Sequence, residues 1–543
     1  MNPPPSTPQP GWQARLSTPL ARAAALPAGF LGDAPCFPTG YRRDRLLVSG
    51  LAADVAEVLA DAACLAGGRL EADPEHVPVE LAETTEQRAG RSGRLGTAGG
   101  ALGLRRLRLR AVDPTAPAPD AADVLHRARV LADGRLPGVG LDHVVLLTPL
   151  GANPFHGSNP FHGSNPFHGS NPYGVGSQAP LQSYAVPGSG GLQPVAWAGP
   201  APVRAPDTAF AARRRPVVAL LDSGCGAHPW LDRAVQHGVT CDGDPIGLVD
   251  PALDPQTHPD LVGPLDGGTD PASGHGTFVA GLVHQACPDA DLLVWRAVAP
   301  DGSVDESDLV TALTRIAQLV TWHAAGDPRG RPVDVLNLSM GYYHETPTDG
   351  LFDPTMSELL AVLGRCGTQV VCSAGNDATD RPMFPAAFAP WASGTPAVPE
   401  PDGTAEPVLA VGALNPDLSS VALFSNDGPW VGAWAPGAAV VSTVPSTQGG
   451  LQPAAATRFA GRPRASIDPD GFGGGFAVWS GTSFAAPLVA GALAAALQPD
   501  LPAPGAQEPP ESARARVRAA RTLITTTTTA AITSLPAGGT SPG

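Results

Sequence analysis

The sequence contains no lysine: all 34 of its basic residues are arginines, and 50 acidic residues bring the net charge to −16. It also lacks the run of about 18 apolar residues that a membrane-spanning helix needs. Residues 1–29 hold five prolines in the first ten positions and no apolar segment behind a basic start, unlike a secretory signal. These absences predict a cytoplasmic protein without a membrane span, and the acidic balance argues against a general nucleic-acid surface.

Cysteine is scarce as well. Seven cysteines, an odd number scattered over 543 residues, do not make a disulfide framework. Cys225 and Cys372 lie close in sequence to the polar residues discussed below. Buried free thiols are the simplest interpretation of both, and redox control is the alternative.

Glycine and proline are abundant, with 64 and 62 copies, and this predicts long irregular segments. We expect five parts along the chain: a disordered Pro-rich N-terminus (1–40), a smaller domain (41–150), a repeat-containing linker (151–212), a main domain (213–500) and a Pro-, Ala- and Thr-rich tail (501–543).

Two polar residues in the main domain follow or begin apolar segments. The run Val217 to Leu221 is typical of a buried parallel strand, and Asp222 falls where that strand ends, the edge at which α/β sheets carry functional groups. His275 stands among small residues just before an apolar run, as expected at the start of a buried helix. A carboxylate can fix the tautomer of such an imidazole, which then acts as a general base.

Two further residues complete a possible site. Ser483 follows Gly481 and Thr482 and precedes an apolar run to Leu497, which predicts a hydroxyl at a helix N-terminus, where negative charge is favoured. Asn376 ends a strand-like run, and its amide could donate a hydrogen bond to an oxyanion together with the Ser483 backbone N–H.

Each of these segments alone is more often a turn, a loop or a helix cap. Together they supply an acid, a base and a nucleophile in the order Asp, His, Ser. We therefore predict a serine endopeptidase that works through an acyl-enzyme and whose N-terminal domain could restrain it. The alternatives are a catalytically idle peptide-binding module, and a protease effector that is docked and regulated by a partner protein through residues 41–150.

The segments around these four residues resemble the signatures of the subtilisin-like serine peptidases. They read Asp-Ser-Gly from 222, Gly-His-Gly-Thr-Phe-Val-Ala-Gly from 274, Ser-Ala-Gly-Asn from 373 and Ser-Gly-Thr-Ser-Phe-Ala-Ala-Pro from 480. The resemblance covers about residues 213–500. It implies a three-layer α/β domain with a mostly parallel sheet.

The resemblance also implies a substrate-binding groove. The implied residues come from three segments: Gly302 and Ser303, then Ser339, Met340 and Gly341, and then Phe384 and Pro385. In the family, the first segment pairs with the substrate backbone as an added β-strand, and the second borders the primary specificity pocket. Met340 stands where leucine is commoner, a change that conserves volume.

Other features are less regular for this family. Residues 446–478 form a long Gly- and Pro-rich insertion that could cover or narrow the cleft. No cofactor is identifiable. A structural calcium site is conceivable but not located, since a solvated acidic loop is the simpler interpretation of the candidate ligands Asp242, Asp244, Asp250 and Asp254.

Acidic residues cluster beside the groove, at Asp301, Asp305, Glu306 and Asp308. They could favour basic side chains in the substrate. The alternative is that they complement the dipole of a helix from Asp308 to about His323, which Ser307 could cap.

Residues 41–150 are predicted to form a smaller α+β domain. Its strands are expected at 45–48, 77–81, 106–110 and 143–147, and its helices at 52–65 and 121–131. This βαββαβ order is that of a ferredoxin-like unit. Subtilisin-like enzymes often carry a propeptide of this topology, so a propeptide and an unrelated docking module are the two interpretations. The stripe Arg106, Arg108 and Arg110 could pair with an acidic partner, but a solvated strand face is the simpler interpretation.

The linker contains the hexapeptide Asn-Pro-Phe-His-Gly-Ser three times from 153. A flexible linker is the preferred interpretation, ahead of a β-helical stack or a metal tract with His156, His162 and His168. In the tail, 511–523 is expected to form a closing helix, and the threonine run 525–529 a strand or a disordered segment.

Overall fold

The structure is a computed structural model. It describes residues 19, 22–26, 29–31, 34–52, 54–83, 100–134, 136–147, 184, 191–263, 265, 267–346, 354–392 and 404–533. The hexapeptide repeat, with His156, His162 and His168, lies outside the described residues.

The N-terminal part holds strands and helices in the following order: β1 (Ala23–Leu26), β2 (Gly29–Leu31), β3 (Ala34–Cys36), β4 (Thr39–Ser49), α1 (Ala56–Leu65), β5 (Gly68–Ala72), β6 (Leu104–Ala111), α2 (Ala121–Leu131) and β7 (Val139–Leu147). The four longer strands form an antiparallel sheet in the order β7-β4-β6-β5. The predicted βαββαβ order is therefore present, with the strand order of a ferredoxin-like unit.

Two details of the predicted N-terminal part are wrong. The second strand lies at Gly68–Ala72 and not at 77–81, because Pro78 offers no N–H to a ladder and Val77 is 75% exposed. The described part of the segment predicted to be disordered, 1–40, contains β1, which pairs with β4.

The rest of the chain contains the following elements: β8 (Gln193–Val195), β9 (Val217–Asp222), β10 (Val235–Gln236), β11 (Thr240–Cys241), β12 (Asp244–Pro245), α3 (His275–Ala286), β13 (Asp291–Arg296), β14 (Ser303–Asp305), α4 (Glu306–Ala324), β15 (Val335–Leu338), β16 (Met340–Tyr343), α5 (Pro354–Arg365), β17 (Gln369–Ser373), β18 (Met383–Phe384), β19 (Leu409–Leu414), β20 (Val431–Pro436), β21 (Val440–Thr443), β22 (Ala456–Phe459), β23 (Arg462–Ala465), β24 (Phe476–Trp479), α6 (Thr482–Leu497) and α7 (Pro510–Thr533).

The central sheet is parallel and runs β10-β13-β9-β15-β17-β19-β20. Side chains alternate across β9: Val218 and Leu220 pack with α3 and α6, while Ala219 and Leu221 pack with α4 and α5. Since both faces are covered by helices, strands of continuous apolar sequence are fully buried. The three-layer α/β architecture with a mostly parallel sheet is confirmed.

The N-terminal sheet lies against the same helices α4 and α5. Leu47 of β4 belongs to their hydrophobic core, whereas its neighbours Leu46 and Val48 face α1 and α2. The sheet also continues into the rest of the chain, because β7 pairs with both β14 and β16. The two parts of the protein therefore share the hydrophobic core around α4 and α5 and the sheet that contains β7, β14 and β16.

The insertion at 446–478 contains a hairpin, β22–β23, whose residues are all exposed. Its base is tied to the loop before α3, since Asp470 accepts a hydrogen bond from the Thr269 backbone N–H at 2.9 Å. In the tail, the threonine run 525–529 lies inside helix α7, so the expectation of a strand or disorder is wrong.

One described helix is long and apolar enough to cross a membrane by length and composition, the segment Thr482–Asp500. About two thirds of its apolar window, 67%, is buried inside the protein. It contacts α3 and the central sheet, so core packing accounts for its composition.

Candidate active site

Asp222 and His275 form a buried pair at the carboxyl end of the central strand. The Nδ1 of His275 lies 2.7 Å from Oδ1 of Asp222, and both side chains are almost fully buried. The same Oδ1 accepts the Ser223 backbone N–H at 2.7 Å, which holds the carboxylate in place. Because Nδ1 faces a carboxylate it carries the proton, and Nε2 is left as the basic nitrogen.

Close packing of α3 against the end of β9 brings this pair together. Gly276 makes the approach possible, because a Cβ there would overlap the carbonyl oxygen of Gly224. The Thr277 hydroxyl also bonds to the Gly226 backbone N–H at 2.7 Å. The small residues around His275 in the sequence are thus explained by contact between the helix and the strand end.

Ser483 is the second residue of α6 and is fully buried. Its Oγ donates to the Ser339 carbonyl oxygen at 3.3 Å, and the Ser339 hydroxyl donates to the Ser483 carbonyl at 3.0 Å. The His275 ring lies 5.3 Å from the ring of Phe484, the next residue of α6. Nε2 of His275 has no hydrogen-bond partner in the described part of the chain.

Asn376 lies just beyond β17, beside the start of α6. Its Oδ1 accepts two hydrogen bonds from Thr482, one from the backbone N–H at 2.8 Å and one from the hydroxyl at 2.9 Å. These bonds fix which end of the amide is the oxygen. The Nδ2 end is therefore the donor that Asn376 can offer near the N-terminus of α6.

Two of the three segments predicted to bind substrate flank strand β7, and the third pairs with β16 in the same sheet. Gly302 and Ser303 lie at β14 on one side, and Ser339, Met340 and Gly341 lie at β16 on the other. Phe384 of β18 pairs with Tyr342, and the Phe384–Pro385 peptide bond is cis. A Cβ at Gly341 would overlap the Phe384 carbonyl oxygen, so this side of the groove requires glycine.

The groove is already occupied by the last residues of β7. Leu146 and Val145 pair with Ser303 and Val304 of β14, and the Leu147 backbone N–H donates to the Gly302 carbonyl at 2.9 Å. On the other side, Leu147 lies opposite Met340. The N-terminal sheet thus places a strand where the resemblance predicts the substrate strand.

Arginines of the N-terminal sheet neutralise the acidic residues beside the groove. Arg45 bonds to Asp305 at 2.6 Å, and Arg106 bonds to Asp308 at 3.1 Å. Burial, followed by the neighbouring Asp142, raises the pKa of Asp305 to about 6. The preferred interpretation of the arginine stripe is wrong for Arg106, which is buried against acids of the same chain.

Ser307 has a different role from the predicted one. Helix α4 begins at Glu306, and the carboxylate of Asp142 in β7 accepts hydrogen bonds from both the backbone N–H and the hydroxyl of Ser307, at 3.1 and 3.0 Å. The N-terminal part therefore supplies the acidic group at this helix N-terminus.

The sequence analysis missed a buried cluster at the far end of the groove. His143 Nδ1 lies 2.6 Å from Glu306, and its Nε2 lies 2.8 Å from Glu345. Burial alone would lower the pKa of His143, but the two carboxylates outweigh burial and raise it to about 10. His344, also buried, has a pKa lowered to about 3 by burial.

The remaining candidate residues lie elsewhere. Asp242 and Asp244 face Arg329 and Arg315, and Asp250 and Asp254 accept backbone N–H groups of their own loop. In the described ranges these four do not form a ligand cluster. Cys225 and Cys372 are free thiols, and burial raises the pKa of both, that of Cys225 to about 12.

Comparison with known proteins gives one family. The sequence model of the subtilase family matches residues 213–539. The chain is 28% identical over 271 residues to a thermophilic serine proteinase of Bacillus sp. (strain AK1), covering 46% of this chain and 51% of the relative. It is 27% identical over 294 residues to an intracellular serine protease of Paenibacillus polymyxa, covering 51% of this chain and 65% of the relative.

Among solved structures, fervidolysin from Fervidobacterium pennivorans aligns at 19% identity over 85% of this chain and 56% of that chain, with a TM-score of 0.41. The chain spans between half and two thirds of the length of the two curated relatives.

Proposed function

The chain belongs to the subtilase family, and on that premise we propose that it is a serine endopeptidase whose groove is closed by its own strand β7. The observation that carries the chemistry is the buried pair of Asp222 and His275 beside helix α6, whose second residue is Ser483. Its substrates would be proteins or peptides bound as an added strand between β14 and β16.

The residues have the following roles in the proposed reaction. Ser483 Oγ attacks the scissile carbonyl carbon, and its proton passes to Nε2 of His275. Asp222 stabilises the imidazolium that forms. Asn376 Nδ2 and the Ser483 backbone N–H donate to the oxyanion. His275 then protonates the leaving amine, and a water molecule, activated by the same imidazole, hydrolyses the acyl-enzyme.

Strand β7 supports the idea of restraint because it uses the hydrogen bonds that a substrate would need. Leu147 lies opposite Met340, and the preceding residue Ser339 accepts the hydrogen bond of Ser483. A substrate cannot pair with β14 or β16 until β7 leaves. In this closed form the Ser483 hydroxyl is also bonded to Ser339, while Nε2 of His275 has no partner among the described residues.

Buried polar contacts hold β7 and its sheet in this position. Asp142 caps α4 through Ser307, and Arg45 is almost fully buried between Asp142 and Asp305. Removing one partner from a buried ion pair costs roughly 3–5 kcal/mol. Release of the sheet therefore needs a trigger that replaces these contacts or removes residues 41–147.

The test uses the full chain with Leu147→Asp, which places a charge in the buried end of β7 and should loosen it. We expect this variant to hydrolyse fluorescein-labelled casein, and Leu147→Asp combined with Ser483→Ala to be inactive. Val130→Asp is the matched control, since Val130 is 60% exposed on the far helix α2. Casein hydrolysis that survives Ser483→Ala would refute the proposed nucleophile.

A further inference from the structure

Two carboxylates of the peptidase part, residues 213–533, hold a single cation of β7 between them. Glu306 begins α4, and Glu345 follows β16; their oxygens contact the two nitrogens of His143 at 2.6 and 2.8 Å. All three side chains are nearly completely buried. A buried carboxylate pair is costly unless a cation lies between the two groups.

The slot around His143 suits a flat cation. The Tyr342 ring is stacked on the His143 ring, with centroids 4.7 Å apart and an angle of 24° between the planes. The Tyr342 hydroxyl also donates to the second oxygen of Glu306 at 2.6 Å, which fixes that carboxylate. Two acceptors at the edge and an aromatic face below match a guanidinium better than an ammonium group.

The cations that contact this acidic region belong to the N-terminal part. Among the described ion pairs, Glu345 contacts His143 and Arg129, Asp305 contacts Arg42 and Arg45, and Asp308 contacts Arg106. In the described ranges of residues 213–533, the ion-pair partner of Glu345 is His344, whose lowered pKa of about 3 keeps it neutral. When the N-terminal sheet leaves, both glutamates lose their cation.

Among the described strands, β7 is the one that lies between β14 and β16. The two glutamates bind a residue of β7, whereas the other acids bind residues that a substrate strand would not replace. Arg45 and Arg106 lie on β4 and β6, which a substrate strand would not replace. Asp301 is used within its own turn, where it accepts the Ser303 backbone N–H at 3.0 Å. His143, in contrast, lies on the same strand as Leu147 and is reproduced by a substrate that follows β7.

The register fixes the position of this subsite. A substrate in the place of β7 that continues one residue beyond the position of Leu147 brings that residue opposite Ser339, at the Ser483 hydroxyl. The bond after that residue is the one attacked. Counting back along the strand, the residue that replaces His143 is the sixth on the amino side of the scissile bond.

We propose that Glu306 and Glu345 form a specificity subsite that binds a planar cationic side chain, above all arginine, at the sixth residue before the scissile bond. This inference rests on the proposed peptidase function. His143 is the ligand of the subsite in the closed form. A metal ion is a poorer occupant of the closed site, although His143, His344 and Glu345 are close enough to bind one, because both His143 nitrogens donate to carboxylates.

The test is the hydrolysis of the peptides acetyl-Xaa-Val-Val-Leu-Leu-Ala-p-nitroanilide by the full chain with Leu147→Asp. Xaa is arginine, norleucine or glutamate. We expect kcat/KM for the arginine peptide to exceed that for norleucine by about tenfold to a hundredfold, as charge-assisted hydrogen bonds provide. The ratio of the two values does not depend on the fraction of active enzyme, so different degrees of loosening cannot imitate the effect.

The same ratio is measured after Glu306→Gln and after Glu345→Gln, each of which should bring it close to one. Glu358→Gln is the matched control, because Glu358 lies on α5 and pairs with Arg365; it should keep the arginine preference. A second control measures the binding of zinc ions, added as zinc chloride, to the full chain. Tight zinc binding that is lost in His344→Ala would indicate a metal site and overturn the proposal.

The outcomes separate this subsite from the peptidase function. Equal hydrolysis of the arginine and norleucine peptides, with activity still dependent on Ser483, would overturn the subsite and leave the peptidase standing. No Ser483-dependent hydrolysis of any peptide would refute both. If the glutamine variants do not fold, the labelling rate of Ser483 by a fluorophosphonate is compared in His143→Arg and His143→Leu. We expect slow labelling of the arginine variant, which should stay closed, and faster labelling of the leucine variant. Equal rates in the two variants would contradict the proposal.

Discussion

Leu147 lies directly opposite Met340 in an antiparallel ladder, one residue from the carbonyl that accepts the Ser483 hydrogen bond. A strand of the N-terminal sheet thereby occupies the position of a bound peptide. Beside it, the Ser483 hydroxyl donates to the Ser339 carbonyl, and Nε2 of His275 has no hydrogen-bond partner among the described residues. The predictions below concern the chemistry of the site, its packing and the contacts that keep it closed.

Asn376→Ala should lower kcat of the loosened Leu147→Asp chain by about a hundredfold to a thousandfold, with little change in KM, because one oxyanion donor is lost. Steady-state kinetics with a peptide p-nitroanilide measure this. Asn415→Ala is the matched control, since the Asn415 amide donates to Ser420 in a distant loop. An equal loss in both variants would mean that Asn376 acts only through general stability.

Gly276→Ala should reduce both activity and thermal stability, because its Cβ would overlap the Gly224 carbonyl oxygen and push His275 away from Asp222. Gly449→Ala is the control, as nothing lies within 4 Å of a Cβ there. Differential scanning fluorimetry and the p-nitroanilide assay compare the two variants. Wild-type behaviour of Gly276→Ala would show that the strand and helix do not need this close approach.

Arg45→Met should destabilise the closed form by roughly 3–5 kcal/mol, because it leaves Asp142 buried without its cation and Asp305 with Arg42 alone. Urea unfolding of the full chain measures the loss, and casein hydrolysis should rise. Arg110→Met is the comparison, since Arg110 and Glu71 form an exposed pair; we expect no measurable change there. Equal effects of the two substitutions would contradict a closure held by buried charges.

The stability of the closed form should depend on pH through His143 and Glu345. The pKa of His143 is raised from 6.5 to about 10, so its contribution is complete below 6.5 and is lost as the pH rises through about 10. Although burial opposes it, the positive charges of His143 and Arg129 lower the pKa of Glu345, whose contribution is lost in acid. We expect Tm to be highest between about pH 5 and about pH 6.5 and to fall as the pH rises from there to about 10.

His143→Gln should remove the decline between about pH 6.5 and about pH 10 while lowering Tm below pH 6.5. Thermal unfolding of the full chain from about pH 5 to about pH 10 checks both statements. An unchanged decline in the variant would assign it to another group.

Much of the fold could be read from local patterns. Continuous apolar strands followed by apolar helices predict a parallel sheet with two covered faces, and the four signature segments predict which polar groups meet at its carboxyl edge. The structure brings Asp222 and His275 together and places Ser483 at the start of α6. These features follow from local sequence patterns and from the rule that the carboxyl ends of parallel strands lie at one edge of the sheet.

The resemblance suggested restraint by the N-terminal domain, but the contacts that close the groove could not be read from the sequence, because they join residues far apart in the chain. Arg106 and Asp308 are separated by 202 positions, and His143 and Glu345 by the same number. A strand in which arginines alternate with apolar residues predicts a solvent-exposed face, and the sequence does not show that the acids of α4 cover Arg106. Glu345 and Tyr342 carry no local signal, since their role appears only when β7 lies beside β16.

The labelling rate of Ser483 by a fluorophosphonate, measured on the intact chain, tests the central claim most directly. The account predicts slow labelling of the unaltered protein and of Val130→Asp, at least about tenfold faster labelling of Leu147→Asp, and none when Ser483→Ala is added. Equally fast labelling of the unaltered protein and Leu147→Asp would contradict the restraint by β7. Labelling that persists without the Ser483 hydroxyl, or no labelling of any folded variant, would contradict the assignment of Ser483 as the nucleophile.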